Sequence, residues 1–277
     1  MIDNLNIQFY CNNFYGYGNW EHPFWIMGLE EAMGNNINNL NSVVDIKINR
    51  FIENGYTNAE LIDMHLFQGG IVDGNFGLLD NFFNPTLPDF TIQRYWKRGL
   101  QLIYAYENGL NTINGIGINH LPGIIQDRLG RNLLGLHNGI SLVELFPLPL
   151  PSHNENSYNN FYSAPTPPHT FTNIGPLVNW AQYVQFVNGV RIPFILNKIN
   201  TYKPRFIFMM GINDYQIIID SLINHFGAIL TTFTVNDLHF NILNITWPNG
   251  LITKIIHCNQ PNGAWNNDYW NTILNQM

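Results

Sequence analysis

The sequence is poor in cysteine and in charged residues, and it lacks long hydrophobic runs. Its 277 residues include only two cysteines, Cys11 and Cys258. Two cysteines exclude a disulfide framework, a four-cysteine iron–sulfur site and a closed cysteine-based zinc site. No apolar run approaches the ~18 residues of a membrane span, and the N-terminus lacks the basic and apolar regions of a signal peptide. We therefore expect a soluble, cytoplasmic protein.

The balance of charge limits the partners that the protein can bind. Charged residues make up 11% of the chain, and 12 basic residues against 19 acidic ones give a net charge of −7. An acidic chain is a poor general binder of phosphate backbones, so contact with nucleic acid requires a local basic face. The candidates are small clusters of basic residues, at Arg94, Lys97 and Arg98, at Arg128 and Arg131, and at Lys198, Lys203 and Arg205.

Four short apolar runs predict buried strands, at Phe24–Gly28, Ser141–Phe146, Arg205–Gly211 and Leu251–His257. Each is rich in β-branched or aromatic residues and ends at a glycine, proline or polar break. Such continuous apolarity is typical of parallel strands that are covered on both faces. The turn sequence at 248–250 before the last run predicts an antiparallel hairpin. We expect one α/β domain over residues 1–277, with a central, mostly parallel four-stranded sheet flanked by helices and an antiparallel edge hairpin.

Helical periodicity occupies much of the remaining chain. Apolar residues recur at helical spacing over 36–54, 91–106 and 213–226. Two further helices are predicted over 177–187 and 193–201, with a break near Gly189. A long loop over 147–176 holds seven prolines, and loops of this length are usually functional or disordered.

Acidic residues and a histidine lie at the ends of the predicted strands. Glu30 and Glu31 follow the first strand, Glu144 lies in the second, and His257 closes the last. Because the carboxyl ends of parallel strands share one edge of a sheet, we expect these side chains to converge. A carboxylate and a histidine are the minimum for general-base and leaving-group chemistry. The other histidines lack metal-ligand spacing, so we expect no metal and no cofactor.

Four segments, in this order along the chain, resemble the uracil-DNA glycosylase superfamily, in particular a divergent bacterial branch of it. They read FWIMGLEEAMG from residue 24, QRYWKRGL from 93, VELFPLPLPS from 143 and KPRFIFMMG from 203. The resemblance extends over roughly residues 22–270. It implies a uracil-DNA glycosylase-like fold and hydrolysis of an N-glycosidic bond in DNA.

The resemblance also implies roles for individual residues. Gly28 and Glu30 match the glycine and the aspartate of the family's acid motif, and the carboxylate would activate water and stabilise oxocarbenium charge. Glu31 stands where the family has proline, so either glutamate could act; an acid-rich helix start is the structural alternative. His257 matches the histidine that hydrogen-bonds O2 of the departing base. The following loop, including Asn259, departs from the family's Pro-Ser-Pro, which leaves its geometry open.

Two positions bear on the choice of base. Glu144 stands where the family reads uracil with asparagine, and a carboxylate instead accepts from an exocyclic amino group such as cytosine N4. The alternative is a structural pair with Arg205 or Lys203. Ala32 takes the place of a tyrosine that shields the C5 position, which would leave space for a 5-substituent. The alternative for Ala32 is ordinary helix packing.

Excision of a base requires that it be flipped out of the stack or presented in a single strand. Phe67 is the candidate stacking platform, with a core phenylalanine as the alternative. Trp265 follows the histidine motif, where the family inserts a wedge, and the alternative is a tryptophan packed on a C-terminal helix.

These features together predict a monomeric, monofunctional DNA glycosylase that leaves an abasic site. Its expected substrate is DNA with a 5-substituted cytosine, such as phage DNA with glucosylated hydroxymethylcytosine, and its expected role is antiviral defence. Three alternatives remain: a repair glycosylase for uracil or a deaminated base, a nucleotide N-glycosidase, and a non-catalytic nucleic-acid sensor.

Overall fold

A computed structural model describes residues 4–28, 47–62, 94–116, 139–148, 155–159, 179–210, 216–258 and 267–277. The helices are α1 (Asn4–Asn13), α2 (47–53), α3 (Arg94–Glu107), α4 (Glu155–Tyr158), α5 (Trp180–Phe186), α6 (Ile192–Tyr202), α7 (Gln216–Phe226) and α8 (Asn267–Leu274). The strands are β1 (Gly16–Tyr17), β2 (Phe24–Gly28), β3 (Ile140–Glu144), β4 (Phe206–Met210), β5 (Ile229–Val235), β6 (Leu238–Thr246) and β7 (Ile252–Cys258).

The strands form one mixed sheet in the order β1-β3-β2-β4-β7-β6-β5. Its four central strands, β3, β2, β4 and β7, run parallel. The outer strands β1, β6 and β5 each run antiparallel to their inner neighbour. The expected α/β class is confirmed, but the sheet has seven strands and not four with one edge hairpin. The difference arises because β5, which is mostly exposed, lacks the apolar run that marks a buried strand.

The central strands are apolar because both of their faces are covered. Trp25, Ile26 and Met27 are consecutive in β2, point alternately to the two faces, and are all fully buried. Each of the four predicted buried strands coincides with an observed strand to within two residues at either end. The hairpin predicted at 248–250 joins β6 to β7. A second hairpin joins β5 to β6 through Asn236 and Asp237, whose positive φ angles are typical of a two-residue turn.

All five predicted helices appear, within the described residues, as α2, α3, α5, α6 and α7. The α-helical geometry is interrupted at Gly189 as expected, but the chain stays helical there, because the π-helical residues Val187–Arg191 connect α5 to α6. Pro193 lies in the first turn of α6, where its missing N–H is tolerated. Among the described residues, every helix is too short or too polar to cross a membrane.

The buried side chain of Arg191 ties the π-helical segment to β3 and α1. Its guanidinium lies over the ring of Tyr15, 4.1 Å from the centroid. It also donates hydrogen bonds of 2.7 to 2.8 Å to four backbone carbonyl oxygens, those of Cys11, Phe14, Glu144 and Leu145. Arg191 therefore fixes the backbone at the carboxyl end of β3, where Glu144 lies.

Candidate functional site

Glu144 is the last residue of β3 and lies at the carboxyl edge of the parallel strands. In the β2–β3 ladder it pairs with Gly28, the last residue of β2. Paired residues of neighbouring parallel strands point to the same face of a sheet. Because Gly28 has no side chain, β2 places only backbone beside the Glu144 carboxylate on that face.

The backbone of Glu144 is held on both sides. Its N–H donates to the Tyr15 carbonyl at 2.9 Å, and its carbonyl accepts from Arg191 Nη2 at 2.7 Å. The next residue, Leu145, donates its N–H to the Gly28 carbonyl at 3.0 Å. The Glu144 residue is only 2% exposed. These contacts fix the backbone position from which the Glu144 side chain extends. Its carboxylate lies in a poorly hydrated environment, where electrostatic interactions are strong.

Lys47, which lies on α2 and is 3% exposed, interacts electrostatically with Glu144. Burial lowers the pKa of Lys47 to about 7, and the Glu144 carboxylate opposes that shift by favouring the ammonium. Lys47 and Glu144 are therefore a buried base and a buried acid that interact electrostatically. Sequence reasoning missed Lys47, although its spacing from Val44 and Phe51 puts it on the apolar face of the predicted helix.

Arg205 and Lys203, the partners suggested for a structural role of Glu144, do not pair with it. Arg205 immediately precedes β4, so it lies at the amino end of the parallel strands, ~15 Å from the edge that holds Glu144. Its guanidinium lies over the Tyr106 ring at 4.8 Å, and Lys203 Nζ lies over the Trp247 ring at 5.4 Å.

His257 is the second-last residue of β7 and is half-buried. Burial lowers the pKa of its imidazole below the ordinary value, so the ring is neutral at neutral pH. Asn241 Nδ2 lies 3.4 Å from His257 Nδ1, and Thr232 donates to Asn241 Oδ1 at 2.8 Å. Asn241 and Thr232 are polar neighbours that sequence reasoning did not identify, because their contact with His257 depends on strand pairing.

The register of the sheet separates His257 from Glu144. His257 aligns through Met209 and Met27 with Val143, the residue before Glu144. Side chains alternate between faces along a strand, so Glu144 and His257 point to opposite faces. They are also three strands apart, a backbone separation of ~14 Å. The expectation that the two side chains converge on one face of the sheet is therefore wrong. Both residues do lie near the carboxyl edge, as expected.

The other predicted site residues, Glu30, Glu31, Ala32, Phe67, Asn259 and Trp265, lie outside the described residues. Their roles stay predictions. Gly28, the last described residue before the segment that holds the two glutamates, pairs with Glu144 in the β2–β3 ladder.

Basic side chains proposed for phosphate contact are engaged within the protein where the structure describes them. Arg98 donates to Gln101 and Asn267 and lies over the Trp270 ring at 5.7 Å. Lys198 pairs with Glu60 at 3.1 Å. Together with Arg205 and Lys203, described above, these cations join elements of the fold to one another. The side chains of Arg94, Lys97, Arg128 and Arg131 lie outside the described part of the structure, so their proposed contact with phosphate stays a prediction.

A cavity of about 460 Å³ opens between α1 and α5. It is lined by Gln8, Cys11, Asn12, Gln182, Gln185, Phe186 and Val190. Of the predicted site residues that the structure describes, Gly28, Glu144 and His257, none lines this cavity. In the part of the chain that the structure describes, no three histidine, cysteine, aspartate or glutamate side chains are close enough to hold a metal ion.

No protein-family model, curated protein or solved structure matches this chain.

Proposed function

We propose that the chain is a DNA glycosylase that hydrolyses the N-glycosidic bond of a cytosine-type base with a substituent at C5. The observation that carries the proposal is Glu144, a buried carboxylate with a fixed backbone at the carboxyl edge of the sheet. A carboxylate accepts hydrogen bonds, which suits the exocyclic amino group of cytosine. The O4 atom of uracil is itself an acceptor and would be repelled.

The ammonium form of Lys47, which its pKa of about 7 keeps populated up to neutral pH, supports this preference. A nearby ammonium stabilises an ionised carboxylate, and an ionised carboxylate can only accept hydrogen bonds. In that state Glu144 discriminates between an amino group and a carbonyl oxygen. The neighbouring Gly28 contributes no side chain beside Glu144 on that face of the sheet.

The positions of Glu144 and His257 restrict how a base can bind. Since the two side chains leave opposite faces of the sheet, a base on either face would contact only one of them. A base that lies across the carboxyl edge can be contacted by both. In that position a neutral His257 would donate to O2 of the departing base and stabilise its negative charge.

The remaining chemistry falls to Glu30 or Glu31. Either carboxylate would orient the attacking water toward C1′ and stabilise the oxocarbenium character that develops as the bond to the base breaks. The products are the free base and an abasic site. With Ala32 beside C5, a bulky substituent is accommodated, so phage DNA with glucosylated hydroxymethylcytosine is the proposed substrate and defence the proposed role.

The direct test uses four oligonucleotides that differ only in one target base. The bases are cytosine, 5-hydroxymethylcytosine, glucosylated 5-hydroxymethylcytosine and uracil, and excision is read as strand cleavage after alkali. We expect cleavage at the glucosylated base. Absence of cleavage with all four oligonucleotides, single- and double-stranded and at stoichiometric protein, would refute the proposal.

Two matched variants test the role of Glu144. Glu144→Gln keeps the size of the side chain but replaces one acceptor oxygen by a donor, and we expect it to lower the single-turnover rate about 10- to 100-fold. Glu53→Gln changes an exposed carboxylate on α2 in the same way and should leave the rate unchanged. Equal rates for Glu144→Gln and the unaltered protein would make Glu144 only the structural partner of Lys47.

A second candidate is a nucleotide N-glycosidase. It is favoured by the net charge of −7 and by the engagement of Arg98, Lys198, Lys203 and Arg205 within the fold. Such an enzyme would release the base from the modified mononucleotide as fast as from DNA, with little dependence on salt. Chromatography of the free base after incubation with each substrate separates the two functions.

A further inference from the structure

Three polar side chains form a row across the antiparallel strands next to β4. Thr232 on β5 pairs with Asn241 on β6, and Asn241 pairs with His257 on β7. Directly opposed residues of antiparallel strands share a face and lie close enough to interact. The Thr232 hydroxyl donates to Asn241 Oδ1 at 2.8 Å, and Asn241 Nδ2 lies 3.4 Å from His257 Nδ1.

The direction of these hydrogen bonds determines where the imidazole proton lies. In the structure the Thr232 hydroxyl donates to Asn241 Oδ1, and this orientation of the amide leaves Asn241 Nδ2 facing His257. Because Nδ2 only donates, it requires a bare, accepting Nδ1 on the ring. A neutral imidazole with a bare Nδ1 carries its proton on Nε2.

We propose that Asn241 is a positioning residue that holds His257 as the Nε2–H tautomer, and that Thr232 orients Asn241 for this task. The catalytic meaning rests on the proposed function: an Nε2–H group can donate to O2 of a departing base. The opposite tautomer would direct a lone pair at that oxygen and repel the negative charge that develops there. The tautomer itself does not depend on the proposed function and can be measured without substrate.

The row has an internal control two residues along each strand. Thr234 on β5 pairs with His239 on β6, and its hydroxyl lies 2.8 Å from His239 Nδ1. Thr234 and Thr232 are both exposed residues of the same strand. Thr232→Val and Thr234→Val therefore make the same isosteric change at equivalent positions, but only the first affects the row that ends at His257.

The experiment is nitrogen NMR of histidine-labelled full-length protein above the imidazole pKa, with the His257 signals assigned by their loss in His257→Gln. We expect protonated Nε2 and bare Nδ1 in the unaltered protein and in Thr234→Val. Asn241→Asp replaces the donor with an acceptor, so a proton should appear on Nδ1. Thr232→Val releases the amide, and the two tautomers should mix.

A proton on Nδ1 of the unaltered protein would overturn the inference, as would an unchanged Nδ1 signal in both Asn241→Asp and Thr232→Val. In the oligonucleotide assay, Asn241→Asp should lower the single-turnover rate about 10-fold or more, and Thr234→Val should not change it. If the NMR results are as expected and no oligonucleotide is cleaved, the positioning role of Asn241 stands and the proposed function fails.

Discussion

Lys47 gives the sharpest test of the electrostatics at the carboxyl edge. Burial lowers its pKa to about 7 in the folded protein, whereas an unfolded lysine has a pKa of about 10.4. Between these values the unfolded chain binds more protons than the folded one, so the free energy of unfolding must rise with pH. The slope for one such group approaches about 1.4 kcal/mol per pH unit. From pH 7 to pH 9 we expect a gain of about 2 kcal/mol.

The assay compares the unaltered protein with Lys47→Met by urea unfolding at pH 7, 8 and 9. Other groups titrate equally in both proteins, so the difference between their unfolding free energies isolates Lys47. Lys47→Met alone leaves Glu144 buried without this ammonium, which costs stability. The absolute difference at one pH is therefore not diagnostic, but its slope is. A difference that stays constant within about 0.5 kcal/mol from pH 7 to pH 9 would refute a depressed pKa.

Three further predictions follow from the packing. Arg191→Lys removes the planar guanidinium that donates to four carbonyl oxygens, and it should lower the free energy of unfolding in urea by about 3 kcal/mol or more. A decrease below about 1 kcal/mol would contradict this. Gly16→Ala should lower the free energy of unfolding by about 2 kcal/mol or more, because φ is +122° and the new Cβ would meet a carbonyl oxygen of β3. The matched control is Gly189→Ala, in the exposed helical segment, where a new Cβ meets no atom within 4 Å. It should leave the free energy of unfolding unchanged or raise it by up to about 1 kcal/mol. Burial raises the pKa of the Cys11 and Cys258 thiols to about 12, so a disulfide reagent at pH 8 should modify them only after unfolding, and rapid modification of the folded protein would contradict their burial.

Local patterns were sufficient for the central part of the sheet. The strands β2, β4 and β7 were predictable because a strand that is covered on both faces must be apolar along its whole length. The helices α3 and α7 were predictable from the periodicity of one buried face. The position of Glu144 at the end of a buried strand was likewise visible, since a carboxylate in such a run is costly without a purpose.

The partners of Glu144 were not predictable, because Arg191, which binds its backbone carbonyl, and Lys47, which interacts with its carboxylate, come from distant parts of the chain. Arg191 reaches the carbonyl of Cys11 across 180 residues, and a local pattern contains no information on such a contact. The partner of Lys47 could not be identified from a local pattern either. The place of Lys47 on an apolar helical face signals burial, but only packing of α2 near β3 makes Glu144 its counter-charge.

The sequence by itself determined the class of the fold, the central strands and the candidate acid and histidine, because burial and periodicity act within short segments. Only the tertiary structure decided that Glu144 and His257 leave opposite faces of the sheet. That outcome depends on register, and a shift of one residue in strand pairing would reverse the face of each side chain. Register is set by contacts among strands that lie far apart in the sequence.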